Sequence, residues 1–335
     1  YKMKLIHFFM ASLAVLCASC QSNQDTPSQP PINKPEIQIQ DGKLTAEALW
    51  AMGRIGSVTI NEATGNIAYT VSYYSVSENR STTWIRIMDN SGQEIIDEFV
   101  GSEPAWLDQT DALVYLKGGK MLVRQDKQDI VLSGTDLSIE GFLISPTKEN
   151  IVLITQVKTV ESTADKYPDL ALASGRIVDD LMYKHWDEWT ETAPQPFVHN
   201  MNIEYKHGKI ISISVSHPIN ILEGTPYESP MKPFGGVEQL AWSPDGKTIA
   251  YTCRKKSGLE YAVSTNSDIY LYDVRTRAHI NLTEGNGGYD TNPSYSPDGQ
   301  WIAWQSMERD GYESDENRLM IQNIQTGERR FLTQG

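Results

Sequence analysis

Cysteine is scarce in this sequence. The 335 residues contain only Cys17, Cys20 and Cys253. Two of these lie in the N-terminal leader, so the chain cannot build a disulfide framework. Cys253 lies in a predicted strand, where we expect it to be a small core residue. Hydrophobic residues make up 39% of the chain, which is enough for a buried core.

Several catalytic and binding motifs are also missing. The sequence has no Gly-x-Ser-x-Gly, no nucleotide-binding P-loop and no His-Glu-x-x-His. Its six histidines are scattered, without the i, i+4 spacing of a helical metal site. We therefore predict no catalytic residue, no cofactor and no metal site in these residues.

Positive charge is in deficit. The 29 Lys and Arg residues face 43 Asp and Glu residues, which gives a formal net charge of −14. Such a surface repels phosphate backbones and anionic lipid faces, so the sequence argues against nucleic-acid binding. The short basic run Arg254-Lys255-Lys256 is an exception. It is either a solvated loop or a site that steers an anionic group.

The sequence has no long hydrophobic run, and its main apolar stretch is a short N-terminal leader. Lys4 precedes an apolar stretch from Leu5 to Leu16, which is shorter than the ~20 residues of a spanning helix. The pattern predicts a signal peptide at residues 1–20 and hence export, with the periplasm as the expected compartment. Small residues before Cys20 indicate a lipoprotein signal with Cys20 as the lipidated residue, although simple cleavage is the alternative. Residues 21–43, rich in Gln, Ser, Asn and Pro, predict a flexible linker.

From residue 44 onwards the sequence repeats a strand–turn–strand pattern. Two segments, Leu240–Tyr251 and Pro293–Trp304, share the core Ser-Pro-Asp-Gly between alternating apolar residues. Proline presets φ and glycine allows a left-handed conformation, so each core predicts a tight hairpin turn. Weaker copies occur at Val58–Tyr69, Ala105–Tyr115 and Phe142–Ile154.

Second hairpins follow several of these copies, so one repeat unit contains four short strands. This pattern predicts an all-β fold, an incomplete β-propeller at residues 44–335 with about five of roughly seven or eight four-stranded blades. A β-sandwich is the alternative. The repeat breaks between residues 158 and 236, where Lys209–Val215 still reads as a hairpin. The spacing of apolar residues in Tyr167–Pro196 instead predicts a helical insertion near residues 165–195.

The insertion also holds the densest cluster of acidic and aromatic residues. Trp186 and Trp189 bracket Asp187 and Glu188, next to His185. The cluster is either a helix end with solvated acids or a rim element whose carboxylates bind a peptide amine. Asp187 and Glu188 are therefore the candidate substrate-binding residues.

Long, uncommon sequence strings resemble one known family. They are Tyr167–Leu170, Gly175–Ile177, Asp180–Trp189, Glu228–Pro233, Ser264–Ile269, Gly288–Thr291 and Ser306–Asp315. They are similar to the propeller of bacterial dipeptidyl-peptidase 5, a serine peptidase family of the prolyl oligopeptidase clan. The resemblance implies an N-terminal propeller that restricts entry to short peptides. It also implies a C-terminal α/β-hydrolase domain, which carries the Ser-Asp-His triad and releases dipeptides from free N-termini.

The resemblance places the catalytic domain outside these 335 residues. We therefore expect this chain alone to be inactive and to expose unpaired strand edges. Its expected partners are short peptides and its own hydrolase domain, with membrane contact only through a lipid anchor. The alternative function is a non-catalytic periplasmic scaffold of the Tol type, which binds proteins through a propeller.

Overall fold

The chain forms a row of small antiparallel sheets. A computed structural model describes residues 29–37, 39, 41–107, 110–170, 172–177, 191–232 and 234–333. In this part of the chain, 20 strands form five sheets of four strands each. Neighbouring strands within each sheet are consecutive in sequence. We number the sheets 1 to 5 in chain order, and they confirm the predicted four-stranded repeat over the β-sandwich.

The strands and helices have the following bounds. The strands are β1 (Arg54–Ile60), β2 (Ile67–Ser75), β3 (Arg80–Met88), β4 (Ile95–Val100), β5 (Ser102–Trp106), β6 (Leu113–Lys117), β7 (Lys120–Gln125), β8 (Gln128–Val131), β9 (Gly141–Ile144), β10 (Asn150–Lys158), β11 (Thr192–Lys206), β12 (Lys209–Asn220), β13 (Leu240–Trp242), β14 (Thr248–Cys253), β15 (Asp268–Asp273), β16 (His279–Asn281), β17 (Asp290–Tyr295), β18 (Trp301–Ser306), β19 (Arg318–Asn323) and β20 (Arg329–Phe331). The helices are α1 (Ala46–Ala51), α2 (Thr163–Lys166) and α3 (Gly258–Val263), with 3-10 turns at Pro168–Leu170 and Val237–Gln239.

The Ser-Pro-Asp-Gly segments form the predicted hairpin turns. The turn that starts at Ser243 joins β13 to β14, and the turn that starts at Ser296 joins β17 to β18. The Ser243 hydroxyl accepts a hydrogen bond from the Thr248 N–H at 2.9 Å. Gly246 and Gly299 have φ values of +69° and +68°, in the region that glycine adopts without steric cost. The turn chemistry thus explains why these two hairpins form.

The core lies between adjacent sheets. Tyr115 of β6 packs against sheet 1, whereas its neighbour Val114 packs against sheet 3. In β10, Leu153 likewise faces sheet 2 and Val152 faces sheet 4. Successive side chains of a strand point to opposite faces. Strands buried on both faces therefore read as continuous apolar runs rather than as alternating ones.

Successive antiparallel strands alternate direction, so the connections lie at two opposite ends of the row of sheets. One end, which we call the turn face, holds the turns that join strands 1 to 2 and strands 3 to 4 of each sheet. The other end, the loop face, holds the strand 2-to-3 connections and the links between sheets. The longest connections, residues 159–191, 221–239, 254–267 and 307–317, all lie on the loop face.

The predicted helical insertion ends earlier along the chain than expected. α2 and the 3-10 turn at Pro168–Leu170 confirm helical structure at its start, where Ser162 and Asp165 form a capping box. Residues 178–190 lie outside the described residues. Strand β11 begins at Thr192, so the predicted end near residue 195 was wrong. Pro194 and Pro196 lie inside this strand, where proline is uncommon.

The predicted linker also contacts the folded part of the chain. Ile32 is 8% exposed and packs in a cluster with Val71, Tyr73 and Trp84. Its N–H donates to the Thr82 hydroxyl at 2.9 Å, and its carbonyl accepts from the Trp84 indole at 2.8 Å. The polar composition of residues 21–43 did not predict this anchor.

Candidate functional site

Three connections of the loop face meet around one buried arginine. Arg254 follows directly after β14 and is 6% exposed. Its guanidinium carbon lies 4.9 Å from the ring centre of Tyr261 and 5.6 Å from that of Tyr289. Tyr261 belongs to α3, whereas Tyr289 belongs to the link between sheets 4 and 5. Both distances lie within the range of a cation–π contact.

The polar contacts of Arg254 are long and neutral. Its Nη1 donates to the Tyr261 backbone carbonyl at 3.4 Å, and its Nη2 donates to the Tyr289 hydroxyl at 3.3 Å. Its Nε–H is buried and has no hydrogen-bond partner. A buried cation with such contacts has lost its water without full compensation.

A buried glutamate lies on the far side of Tyr261. Glu228, in the link between sheets 3 and 4, is 6% exposed. It accepts a hydrogen bond from the Tyr261 hydroxyl. Burial, together with the negative charge of Glu228 and this hydrogen bond, raises the pKa of Tyr261 well above its usual value. Tyr261 therefore stays protonated and joins the two links through its side chain.

Asp310 fixes the connection that carries α3. Its carboxylate accepts from the Ser264 hydroxyl at 2.7 Å and from the Thr265 N–H at 2.8 Å. Burial of the carboxylate opposes ionisation, but these hydrogen bonds outweigh it and lower the pKa of Asp310. The contacts join two of the distinctive strings, Ser264–Ile269 and Ser306–Asp315, across adjacent sheets.

Acidic residues gather where the first strands of sheets 2 to 4 begin. Glu103, Glu140 and Glu238 line a cavity of about 190 Å³ on the loop face. Burial raises the pKa of Glu103, and the nearby carboxylate of Glu238 raises it further. The Gln156 amide donates to Glu140 at 2.7 Å. The spacing of these acids along the chain gave no sign of this grouping, because each belongs to a different sheet.

Only some of the predicted site residues lie within the described residues. Asp187 and Glu188, the candidate amine-binding residues, lie outside the described residues, as does the candidate lipidation site Cys20. Cys253 is buried, as predicted.

The solvated-loop interpretation of Arg254-Lys255-Lys256 was wrong for the first two residues. Arg254 is buried and contacts two tyrosine rings, and the Lys255 ammonium lies 3.7 Å from the ring centre of Tyr270. Burial also lowers the pKa of Lys255. Lys256, which precedes α3, forms an ion pair with Glu260 of that helix at 2.7 Å. The tyrosines that surround these cations come from other parts of the sequence.

The described residues contain neither a cluster of metal-binding side chains nor a membrane-spanning helix. Among the residues that the structure places, no group of three or more His, Cys, Asp or Glu side chains could hold a metal ion. Within the same ranges, no helix has the length and apolar character needed to cross a bilayer.

Comparisons with known proteins identify relatives of the chain. No family model matches it. Dipeptidyl-peptidase 5 of Porphyromonas gingivalis is 41% identical over 299 residues, which cover 86% of this chain and 42% of the relative. Dipeptidyl-peptidase 5 of Porphyromonas endodontalis is 40% identical over 304 residues, with the same coverage. The chain thus spans less than half the length of these relatives.

A solved structure gives the fold. The acylaminoacyl peptidase of Pyrococcus horikoshii superposes with a TM-score of 0.53, at 12% identity, over 84% of this chain and 40% of that protein. At this identity the likeness concerns the fold alone. It agrees with the five four-stranded sheets, which are the blades of a β-propeller. The chain is therefore a homologue of dipeptidyl-peptidase 5 and corresponds to the propeller part of that protein.

Proposed function

We propose that this chain is the propeller of an exported serine exopeptidase that releases dipeptides from the free N-termini of short peptides. The observation that carries the proposal is the 41% identity to a dipeptidyl-peptidase 5 over 86% of the chain. The 335 residues contain no Gly-x-Ser-x-Gly. In this proposal the nucleophile therefore belongs to the remaining length that the relatives have, and these residues alone are inactive.

The loop face is the proposed gate. It carries the four longest connections of the described chain, and it gathers buried charges that the turn face does not. Long connections placed on a rigid scaffold are where proteins hold ligands and partner domains. In this proposal a hydrolase domain sits over the loop face, and a peptide must pass these connections to reach it.

The activity is tested on the protein encoded by the complete gene. Gly-Phe-aminomethylcoumarin should release coumarin, whereas its N-acetyl derivative should not, because the free amine is required. A fluorophosphonate should abolish the reaction by modifying the serine. Equal cleavage of the free and acetylated substrates, or resistance to the fluorophosphonate, would contradict the proposal.

Glu188 and Asp187 are the proposed receivers of the peptide amine. Replacement Glu188→Gln keeps the shape of the side chain but removes its charge. We expect KM for Gly-Phe-aminomethylcoumarin to rise about 10-fold or more with kcat little changed, since loss of a charged hydrogen bond weakens binding by this order. Glu161→Gln, at an exposed position outside the cluster, is the matched control. If both variants behave like wild type, and Asp187→Asn does too, the amine is bound elsewhere.

Export and lipid attachment at Cys20 complete the proposal. The leader from Leu5 to Leu16 and the small residues before Cys20 support it. Cells that express the full-length protein should incorporate labelled palmitate into it, and Cys20→Ser should abolish the label while leaving export intact. A palmitate label that persists in Cys20→Ser would place the lipid on another residue.

A further inference from the structure

The arginines of this chain show how it binds carboxylates. Arg124 donates to both carboxylate oxygens of Asp97, from Nε to Oδ2 at 2.7 Å and from Nη2 to Oδ1 at 3.3 Å. Arg309 binds Asp315 through the same two atoms, which both donate to Oδ1, at 3.1 and 2.7 Å. This edge of the guanidinium presents two parallel N–H groups, which match the two oxygens of a carboxylate. The same edge of the guanidinium therefore binds a carboxylate at two separate places in the described chain.

Arg254 presents this edge to no carboxylate. Its Nε–H is buried without a partner, and its Nη2 has only the 3.3 Å contact with the Tyr289 hydroxyl. Within the described ranges, no Asp or Glu oxygen forms an ion pair with Arg254 within 4.0 Å. The buried acid Glu228 reaches it only through Tyr261.

Such an arrangement is costly unless a ligand completes it. A buried cation without a direct anion loses hydration that two aromatic faces restore only in part. Tyr261, Tyr289 and Glu228 all belong to connections of the loop face. Tyr289, whose hydroxyl contacts Nη2 of this edge, is partly exposed.

We propose that Arg254 binds the carboxylate of a short peptide that enters over the loop face. The Tyr289 hydroxyl gives way, and Nε and Nη2 then bind the two oxygens of the ligand, as they do in the pair of Arg124 with Asp97. Tyr261 and Tyr289 form the walls of the site. The inference rests on the proposed function, since it supplies the substrate class. The carboxylate comes either from the C-terminus of the peptide or from an acidic side chain.

The experiment compares peptides that differ only in this carboxylate. The full-length protein is given Gly-Phe-Ala-Ala as free acid, the same peptide as C-terminal amide, and the amide of Gly-Phe-Asp-Ala. We expect the free acid to have a kcat/KM about 10- to 100-fold above that of the plain amide, the range that a charged, paired hydrogen bond provides. If an acidic side chain is the source, only the Asp-containing amide has this advantage.

Variants locate the preference. Arg254→Met should reduce the ratio between carboxylate and amide substrates to about one, and Arg254→Lys should leave part of it. Arg330→Met, at an exposed position on β20, should keep the ratio of the wild-type protein. The comparison of the three peptides uses the wild-type protein alone. It therefore tests the carboxylate preference even if Arg254→Met folds poorly.

Two outcomes separate this inference from the proposed function. If wild type releases dipeptides from all three peptides equally well, the function stands and the role of Arg254 is overturned. If wild type releases none, the same three peptides are titrated by calorimetry. A carboxylate preference that Arg254→Met removes then supports the site without the peptidase activity, and equal binding of all three overturns it.

Discussion

His199, on the third strand of sheet 3, is a histidine held without a polar partner. It is 2% exposed, and neither of its ring nitrogens has a hydrogen-bond partner. Its ring centre lies 6.5 Å from that of Phe197. Burial lowers the pKa of His199, because a charged imidazole would lose its water here. The histidine is therefore neutral in the folded protein.

This burial makes stability depend on pH. The unfolded chain takes up a proton at His199 as the pH falls below about 6.5, whereas the folded protein resists it. We therefore expect the free energy of unfolding to fall as the pH decreases from 6.5 towards the lowered pKa, by at most about 1.4 kcal/mol per pH unit for one proton. His199→Leu should flatten this part of the profile in urea unfolding. His207→Gln, at an exposed turn position, should leave it unchanged, and a profile that His199→Leu does not alter would contradict the argument.

Sequence reasoning could not separate His199 from the other five histidines. All six are scattered without a motif. What distinguishes His199 is its place opposite Ile151 in the pairing of β10 with β11, which puts it in the interior. Arg254 gives the same lesson, since the tyrosines that enclose it come from α3 and from the link to sheet 5.

At the scale of elements, the two Ser-Pro-Asp-Gly hairpins look equal in sequence but differ in their surroundings. A Cβ at Gly246 would lie 2.9 Å from the Thr147 Cγ2 atom of sheet 3, whereas a Cβ at Gly299 would lie no closer than 3.6 Å to Pro244. Both positions have positive φ, which costs an L-residue about 1–2 kcal/mol.

This difference gives a paired test. Gly299→Ala should lower the free energy of unfolding by about 1–2 kcal/mol, the backbone term alone. Gly246→Ala should lower it further, because Thr147 must move as well. Urea unfolding of the two variants beside wild type measures both values. Equal losses would mean that the contact between Gly246 and Thr147 does not restrict the turn.

Strand β11 shows why one boundary escaped prediction. Pro194 and Pro196 lie in the strand, opposite Gln156 and Ile154 of β10. The pairing of β11 with β12 begins only at Phe197. Pro194 and Pro196 precede it, so β12 does not require a backbone N–H donor from either proline. Their carbonyls instead accept from Ser229 and Ile221, at 3.0 Å each. Proline at the edge of a sheet is compatible with a strand, but only the pairing shows where that edge lies.

At the scale of the whole molecule, the row of sheets exposes an apolar face at sheet 1. Ile55, Val58 and Ile60 of β1 are 71%, 59% and 59% exposed. Strand edges and apolar faces of this kind favour association between chains.

Solubility should therefore respond to this face. A polypeptide of residues 29–333 in which Ile55, Val58 and Ile60 are all changed to Thr should remain soluble to a several-fold higher concentration than the unchanged sequence, as judged by light scattering. Val131, Ile211 and Ile280, which are singly exposed on other strands, provide the control when all three are changed to Thr. An equal gain from the control variant would show that total hydrophobicity, and not the face of sheet 1, limits solubility.

The sequence by itself determined the local units and the family. Each hairpin is set by a few adjacent residues, namely a turn that proline and glycine favour and the apolar strands beside it. These signals therefore survive in the linear sequence and predicted the four-stranded repeat. The uncommon strings identified the relatives for the same reason, since they can be read without the fold.

Only the tertiary structure decided which side chains are buried, and beside what. Arg254, His199 and the acids around Glu103 owe their surroundings to sheets that are far apart in sequence. Burial, desolvation and the pairing of charges depend on distances in space, and the repeat does not encode these for any single residue. The packing of successive sheets brings the connections together on one face, and that face carries the proposed peptide site.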